Sequence, residues 1–215
     1  MKESKFLILD TETTGLYEDA EIVELALIDN SGKVLIDTLV KPLGDIPEQA
    51  TKVHGITTVE AKEKGRDWPS VLQELLNIST SNEYQSLVIY NESYDTRLIQ
   101  QTSAFHGFDL DLGDFREKTN AWCLMKDYAR FYGQRLTKPC IYTGAETGYK
   151  WQSLVNAMKQ QNLPLLNAHR ALADCQMTLL LANWMDQVAK HDLPHATYLK
   201  DSSHNSSPTE SRLPA

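Results

Sequence analysis

Short apolar runs alternate with helically spaced apolar stripes along the chain, and the two rhythms divide it between strands and helices. Phe6 to Leu9 is a four-residue apolar run that reads as a buried strand, breaking into Asp10-Thr11-Glu12. Glu21–Ile28 and Lys33–Val40 are β-rich runs separated by Asp29-Asn30-Ser31-Gly32, a tight-turn signal that pairs them as a hairpin. Three antiparallel strands therefore open the domain, and Pro42 and Pro47 end this segment. Short helical pieces are expected within residues 47–64, and a helix over Pro69–Leu76 with its proline near the first turn. Ser86–Asn91 reads as a second buried strand running into a helix over Glu92–Ile99, with Ser93 as its expected cap.

Residues 106–118 read as loop, and Asn120 to Phe131 as a short strand or helix entry. The polar, Gly- and Pro-punctuated stretch 133–150 reads as a mobile connection. Trp151 to Gln160 has helical spacing. The clearest helix runs from Ala171 to Val188, with an apolar stripe at Met177, Leu180, Leu181, Trp184 and Val188. Asp174 shares that inward face, three residues before Met177, and an inward carboxylate needs a partner. His169 lies five residues earlier, about 140° away on a continuous helix, so it is expected to precede the helix and turn toward the same centre. One domain over residues 1–190 and a Ser-, Asn- and Pro-rich disordered tail over 191–215 complete the reading.

Charge changes the picture more by distribution than by sum. The net charge is −8, yet residues 115–172 hold nine Lys and Arg against three acidic residues, whereas residues 1–114 hold nine against twenty-one. An acidic half beside a basic stretch suits a metal site next to a phosphate-binding surface. Three cysteines without a CxxC pair argue against a disulfide framework or zinc ribbon, and no apolar run approaches a membrane span. A cytoplasmic protein with no membrane contact is expected; no oligomeric state is implied.

Asp10 and Glu12 point to one face of their strand, because strand side chains alternate. Two desolvated carboxylates repel, and a hard oxygen-seeking cation such as Mg²⁺ or Mn²⁺ would compensate them. An ordinary polar strand end entering the Thr13-Thr14-Gly15 turn fits the same residues, so further carboxylates have to decide.

Asp10-Thr-Glu-Thr-Thr-Gly15, then Asn91 with Asp95, then His169 with Asp174, in that order, resemble the motifs of the DEDDh (DnaQ-like) 3′→5′ exonuclease family, within it the bacterial exonuclease X group. The likeness spans residues 5–188, with His54-Gly-Ile-Thr57 and Trp122-Cys-Leu-Met-Lys126 adding to it. It implies an α/β, ribonuclease-H-like fold: a central mixed sheet, three antiparallel strands first, helices on both faces. It implies two Mg²⁺ or Mn²⁺ ions, one held by Asp10, Glu12 and Asp174, the other by Asp10 and Asp95. His169 would be the general base, a residue type that titrates near neutrality. Thr13, Leu16, His54 and Asn91 would contact substrate. The family pattern is departed from at Tyr90-Asn91-Glu92, where Glu92 adds a carboxylate that could alter metal affinity or point to solvent.

The resemblance further implies removal of nucleoside 5′-monophosphates from single-stranded nucleic acid or frayed 3′ ends, DNA first. An RNA-trimming, oligoribonuclease-type enzyme is the alternative within the branch. A proofreading-type subunit acting through a polymerase or repair partner is the alternative outside it.

Overall fold

Alternation along the first strand decides which helices cover each face of the sheet. The computed structural model describes residues 5–139 and 147–192. Strands β1 (Phe6–Thr13), β2 (Ile22–Asp29) and β3 (Val34–Leu39) are antiparallel neighbours, as expected, with Asp10 opposite Ala26 and Glu12 opposite Glu24. The chain then forms helices α1 (Glu48–His54), α2 (Thr58–Lys64) and α3 (Trp68–Ser79) before β4 (Ser86–Ile89) joins β1 in parallel. Next come α4 (Glu92–Phe105), α5 (Leu112–Thr119) and β5 (Ala121–Cys123), which adds parallel to β4. Helices α6 (Leu124–Tyr132), α7 (Leu154–Gln160) and α8 (Ala171–Asp192) complete the order, and the sheet runs β3-β2-β1-β4-β5.

Leu7 and Leu9, with Leu25, Leu27, Leu87 and Ile89, bury one face beneath α3 and α4 through Trp68, Val71, Leu75, Leu98 and Ile99. Phe6 and Ile8, with Ala26, Ile28 and Val88, bury the other beneath α6, α7 and α8. Asp10 and Glu12 continue this second series, so the strand's own pleat aims them at the α8 side.

Two expectations need correction here. Residues 106–118 contain α5 and not loop alone: Asp111 caps it by accepting from the Asp114 N–H at 2.9 Å, Phe115 is buried, and Leu112 packs partly against the same core. Two apolar residues in a polar stretch give no periodicity to read. Ser93 does not cap α4; the cap position is Asn91, and β4 stops at Ile89. The described ends of the 133–150 stretch are tied together, with Leu136 N–H donating to the Gly148 carbonyl at 3.0 Å and Lys150 N–H to that of Gln134 at 2.8 Å. Residues 140–146, and the expected tail from 193 onward, lie outside the described residues. No described helix is long and apolar enough to cross a membrane, and Cys123 and Cys175 are free thiols.

The buried side of α8 also differs from the expected stripe. Leu180 is 38% exposed, and Trp184 and Val188 are half-buried. Met177 and Leu181 are buried as expected, and beside them lies a second inward row at spacings of three and four, Ala171, Cys175, Thr178, Ala182, Met185 and Ala189. These side chains are mostly small, so the helix approaches the strands closely: Cys175 Sγ lies 3.6 Å from the Ile8 carbonyl oxygen and 3.5 Å from that of Ala26. Neighbouring Asp174 is thereby carried up to the β1 carboxylates. Cys175→Leu should push α8 off the sheet and destabilise the protein by about 1–3 kcal/mol. Leu180→Ala, on the exposed side, should cost under about 1 kcal/mol. Urea unfolding midpoints at unchanged m value measure both, and equal losses would contradict the close approach.

Candidate active site

Three chain segments meet at one edge of the sheet. Because β1 and β4 are parallel, their C-terminal ends lie side by side, and α4 begins just beyond the second of them. That places Asp95, in the first turn of α4, beside the end of β1. The Thr11 N–H and hydroxyl donate to Asp95 Oδ1 at 3.1 and 2.8 Å, locking the two elements together. Asp10 and Glu12 face the opposite way from Thr11, toward α8. Asp174 lies in the first turn of α8, and His169 precedes the helix, where the Asp174 Oδ2 accepts its backbone N–H at 3.3 Å. One ligand atom each from Glu12, His169 and Asp174 lie within 4.8 Å of one another. Asp10 is outside that trio but shares the strand face with Glu12. The structure thus brings together all five residues expected in the site.

Crowding shows in the proton affinities. Burial, then repulsion from Asp95, Asp174 and Glu12, raises the Asp10 carboxyl well above its ordinary range. Burial and repulsion from Asp174 and Glu24 push Glu12 up to about 8. Asp95 rises to about 7 through burial, against the pull of its Thr11 hydrogen bonds, and Asp174 to about 6. Asp174 Oδ1 is buried and has no hydrogen-bond partner among the described residues. Mutually repelling carboxylates with an unpaired oxygen facing inward fit a divalent cation with oxygen ligands.

The loop after β1 is held by α4. Tyr94 donates to the Gly15 carbonyl at 2.8 Å and pairs with the Thr13 hydroxyl at 2.8 Å. Arg97 donates to the Leu16 carbonyl at 3.0 Å, and Gln101 to those of Tyr17 and Ala20. Leu16 and Tyr17 are thus presented to solvent, 67% and 77% exposed. His54 ends α1 and is buried; its Nδ1 accepts the Ile56 N–H at 3.0 Å, and burial lowers its imidazole pKa. With Lys52, Asn167, His169 and Arg170 it lines a polar cavity of about 320 Å³. Asn91 lies at the start of α4, its carbonyl accepting the Tyr94 N–H at 2.9 Å. Glu92 does not point to solvent: it is buried, accepting from Thr96 at 3.0 Å and from the Arg116 guanidinium, and its charge, after burial, helps raise the Asp95 pKa.

Sequence reasoning missed Tyr94, Arg97 and Gln101, although their three- and four-residue spacing on one side of α4 was a usable signal. It also missed Glu24 and Arg170. Glu24 is buried opposite Glu12, and Arg170 Nε donates to both its carboxylate oxygens, at 3.0 and 3.1 Å. Nothing local in the sequence pairs residues 146 positions apart.

A carboxyl with a raised folded-state pKa keeps a proton that the unfolded chain has already released. Stability therefore falls as pH rises from about 4, the unfolded value, through the folded values near 6, 7 and 8. In EDTA, Glu12→Gln should raise the melting temperature, by about 2–4 °C for each kcal/mol of repulsion relieved. The gain should grow between pH 5 and pH 8, as differential scanning fluorimetry at both values would show. A gain that is absent, or the same at both, would mean that Glu12 is not held under this repulsion.

A family model described as Exonuclease (RNase_T) matches residues 7–182. The uncharacterized exonuclease CP81 of Escherichia phage 186 is 41% identical over 178 residues, 82% of this chain and 86% of that protein. Exodeoxyribonuclease 10 of Escherichia coli K12 is 30% identical over 178 residues, 81% of this chain but 65% of that protein, so the chain spans just under two thirds of its length. The crystal structure of E. coli exonuclease I in complex with a dT13 oligonucleotide superposes with a TM-score of 0.67 at 21% identity, covering 89% of this chain and 42% of that one. The last likeness is one of fold, and the fold is ribonuclease-H-like, with three antiparallel strands leading a mixed five-stranded sheet. By its match along most of its length, the chain belongs to the exonuclease family.

Proposed function

We propose that this protein is a divalent-metal-dependent 3′→5′ exonuclease that releases nucleoside 5′-monophosphates from single-stranded DNA or frayed 3′ ends. One observation carries the reading: Asp10, Glu12, Asp95, Asp174 and His169 converge at one sheet edge, with ligand atoms of Glu12, His169 and Asp174 within 4.8 Å of one another. The name of exodeoxyribonuclease 10 and the oligodeoxynucleotide bound to exonuclease I favour DNA. The polarity rests on the order of the motifs along the chain.

Asp10, Glu12 and Asp174 would hold one Mg²⁺ or Mn²⁺ ion, Asp174 through its unpaired Oδ1, and Asp10 with Asp95 a second. Bound there, such ions stabilise the attacking and leaving oxygens of phosphodiester hydrolysis. His169, exposed beside Asp174, takes the proton of the attacking water. The water oxygen joins phosphorus, the bond to the 3′ oxygen of the preceding nucleotide breaks with its electron pair on oxygen, and that oxygen takes a proton from solvent to become the new 3′ hydroxyl, while His169 returns its own proton to solvent. Leu16 and Tyr17 offer exposed apolar surface to the terminal nucleotide, with Thr13, Asn91 and His54 around it.

With Mn²⁺, a 5′-labelled oligodeoxythymidylate should shorten as a ladder of labelled products. Release of the label as the first product would overturn the polarity, and faster shortening of a matched RNA would assign the substrate to RNA. EDTA should abolish the reaction, and Asp10→Ala or Asp174→Ala should lower turnover by several orders of magnitude. His169→Ala should slow single turnover by about 10²–10⁴-fold with Mn²⁺ affinity retained. Hydrolysis that persists in excess EDTA would sink the metal-dependent reading.

A further inference from the structure

His169 is poorly placed to be rigid by its own contacts. It is exposed, lies outside regular structure, and has φ of 67°, a left-handed conformation that is unfavourable for a non-glycine residue. Yet proton transfer needs its ring held within a fraction of an ångström. The restraint lies in the next two residues. Arg170 engages Glu24 through Nε and Nη2, and the Ala171 N–H donates to Glu24 Oε2 at 2.8 Å. The Glu24 side chain is only 3% exposed, and it stands in register opposite Glu12 on the adjacent strand. One sheet-anchored carboxylate thus grips the chain immediately after His169, while Asp174 takes the His169 N–H.

We infer that Glu24 and Arg170 are positioning residues: a buried clamp that holds His169 in its left-handed conformation, with its imidazole over the Glu12 and Asp174 carboxylates. The inference rests on the proposed general-base role of His169 for its kinetic consequence, but not for its structural one. Arginine suits the task, since its planar fork fixes direction as well as charge, whereas lysine supplies charge alone. Arg170→Lys is therefore the informative variant. It keeps a cation beside Glu24, and so avoids the unpaired buried carboxylate that Arg170→Ala would leave.

Two measurements on the full chain decide the matter. The first is single-turnover cleavage of 5′-labelled oligodeoxythymidylate at saturating Mn²⁺, for wild type, Arg170→Lys, His169→Ala and the double variant. The clamp predicts a loss of about 10²-fold in Arg170→Lys, little change in Mn²⁺ affinity or KM, and no further loss when His169 is already alanine. A role in folding alone would slow both backgrounds by the same factor, and that result overturns the inference. The second is the imidazole Cε1–H resonance of His169 in metal-free protein, assigned by its disappearance in His169→Ala. It should move or broaden in Arg170→Lys and return toward the wild-type position in no variant lacking the fork. An unchanged resonance overturns the clamp whatever the kinetics. If His169→Ala keeps full activity while the resonance still shifts in Arg170→Lys, the clamp stands and the general-base reading falls.

Discussion

Four carboxyl groups share one desolvated corner, and their repulsion is the constraint around which the rest of this chain is arranged. Left to itself such a group would open, admit water or swap its acids for neutral residues, because each buried charge costs several kcal/mol. Here each acid is carried on a separate rigid support. Asp10 and Glu12 ride on the central strand, Asp95 on the first turn of α4, and Asp174 on the first turn of α8. Hydrogen bonds and core contacts hold each of these supports in place, so the carboxyls stay close despite their repulsion.

Two packing choices keep the corner closed. On one face, Thr11 reaches across from β1 and ties Asp95 down with two hydrogen bonds, so that the helix start cannot drift from the strand end. On the other, the small side chains of α8 let it sit close to β1 and β2, with Cys175 against the Ile8 and Ala26 carbonyls. The pleat of β1 serves both: Thr11 turns one way, Asp10 and Glu12 the other. A shift of one residue in its register would send the carboxylates into the α3 and α4 core.

Around the acids the protein also arranges compensation. Glu24 stands beside Glu12 and adds to its repulsion, an effect that Arg170, bound to Glu24 together with the Ala171 N–H, partly offsets. Glu92, the first residue of the helix that carries Asp95, is taken by Arg116 and Thr96. Glu24 and Glu92 have cationic partners, whereas Asp95 and Asp174 accept only uncharged donors and Asp174 Oδ1 accepts none among the described residues. Asp174 Oδ1 is the atom on which this division is clearest.

Much of this was legible in the linear sequence, and the reason is local. The Phe6–Leu9 run, the Asp29–Gly32 turn and the 3.6-residue spacing toward the C-terminus report on contacts between residues close in the chain, so strands, hairpin and last helix could be read directly. The acids and His169 were legible because their types are rarely buried without a task, and because three short motifs recur in a known order. The same logic was weakest where inward apolar residues are few or small: α5 buries Phe115 with only Leu112 partly packed beside it, and α8 adds Ala171, Cys175 and Ala182 to the inward Met177 and Leu181. Sequence by itself determined that Asp10, Glu12, Asp95 and Asp174 would carry charge inward and on what elements, but not that Glu24 and Glu92 would be buried as well. Tertiary structure alone decided which of them acquire partners, since Glu24 with Arg170, Asp95 with Thr11 and Glu92 with Arg116 are pairings across 24 to 146 positions. A hydrogen bond depends on distance in space, and the chain encodes such distances only through the packing of everything between.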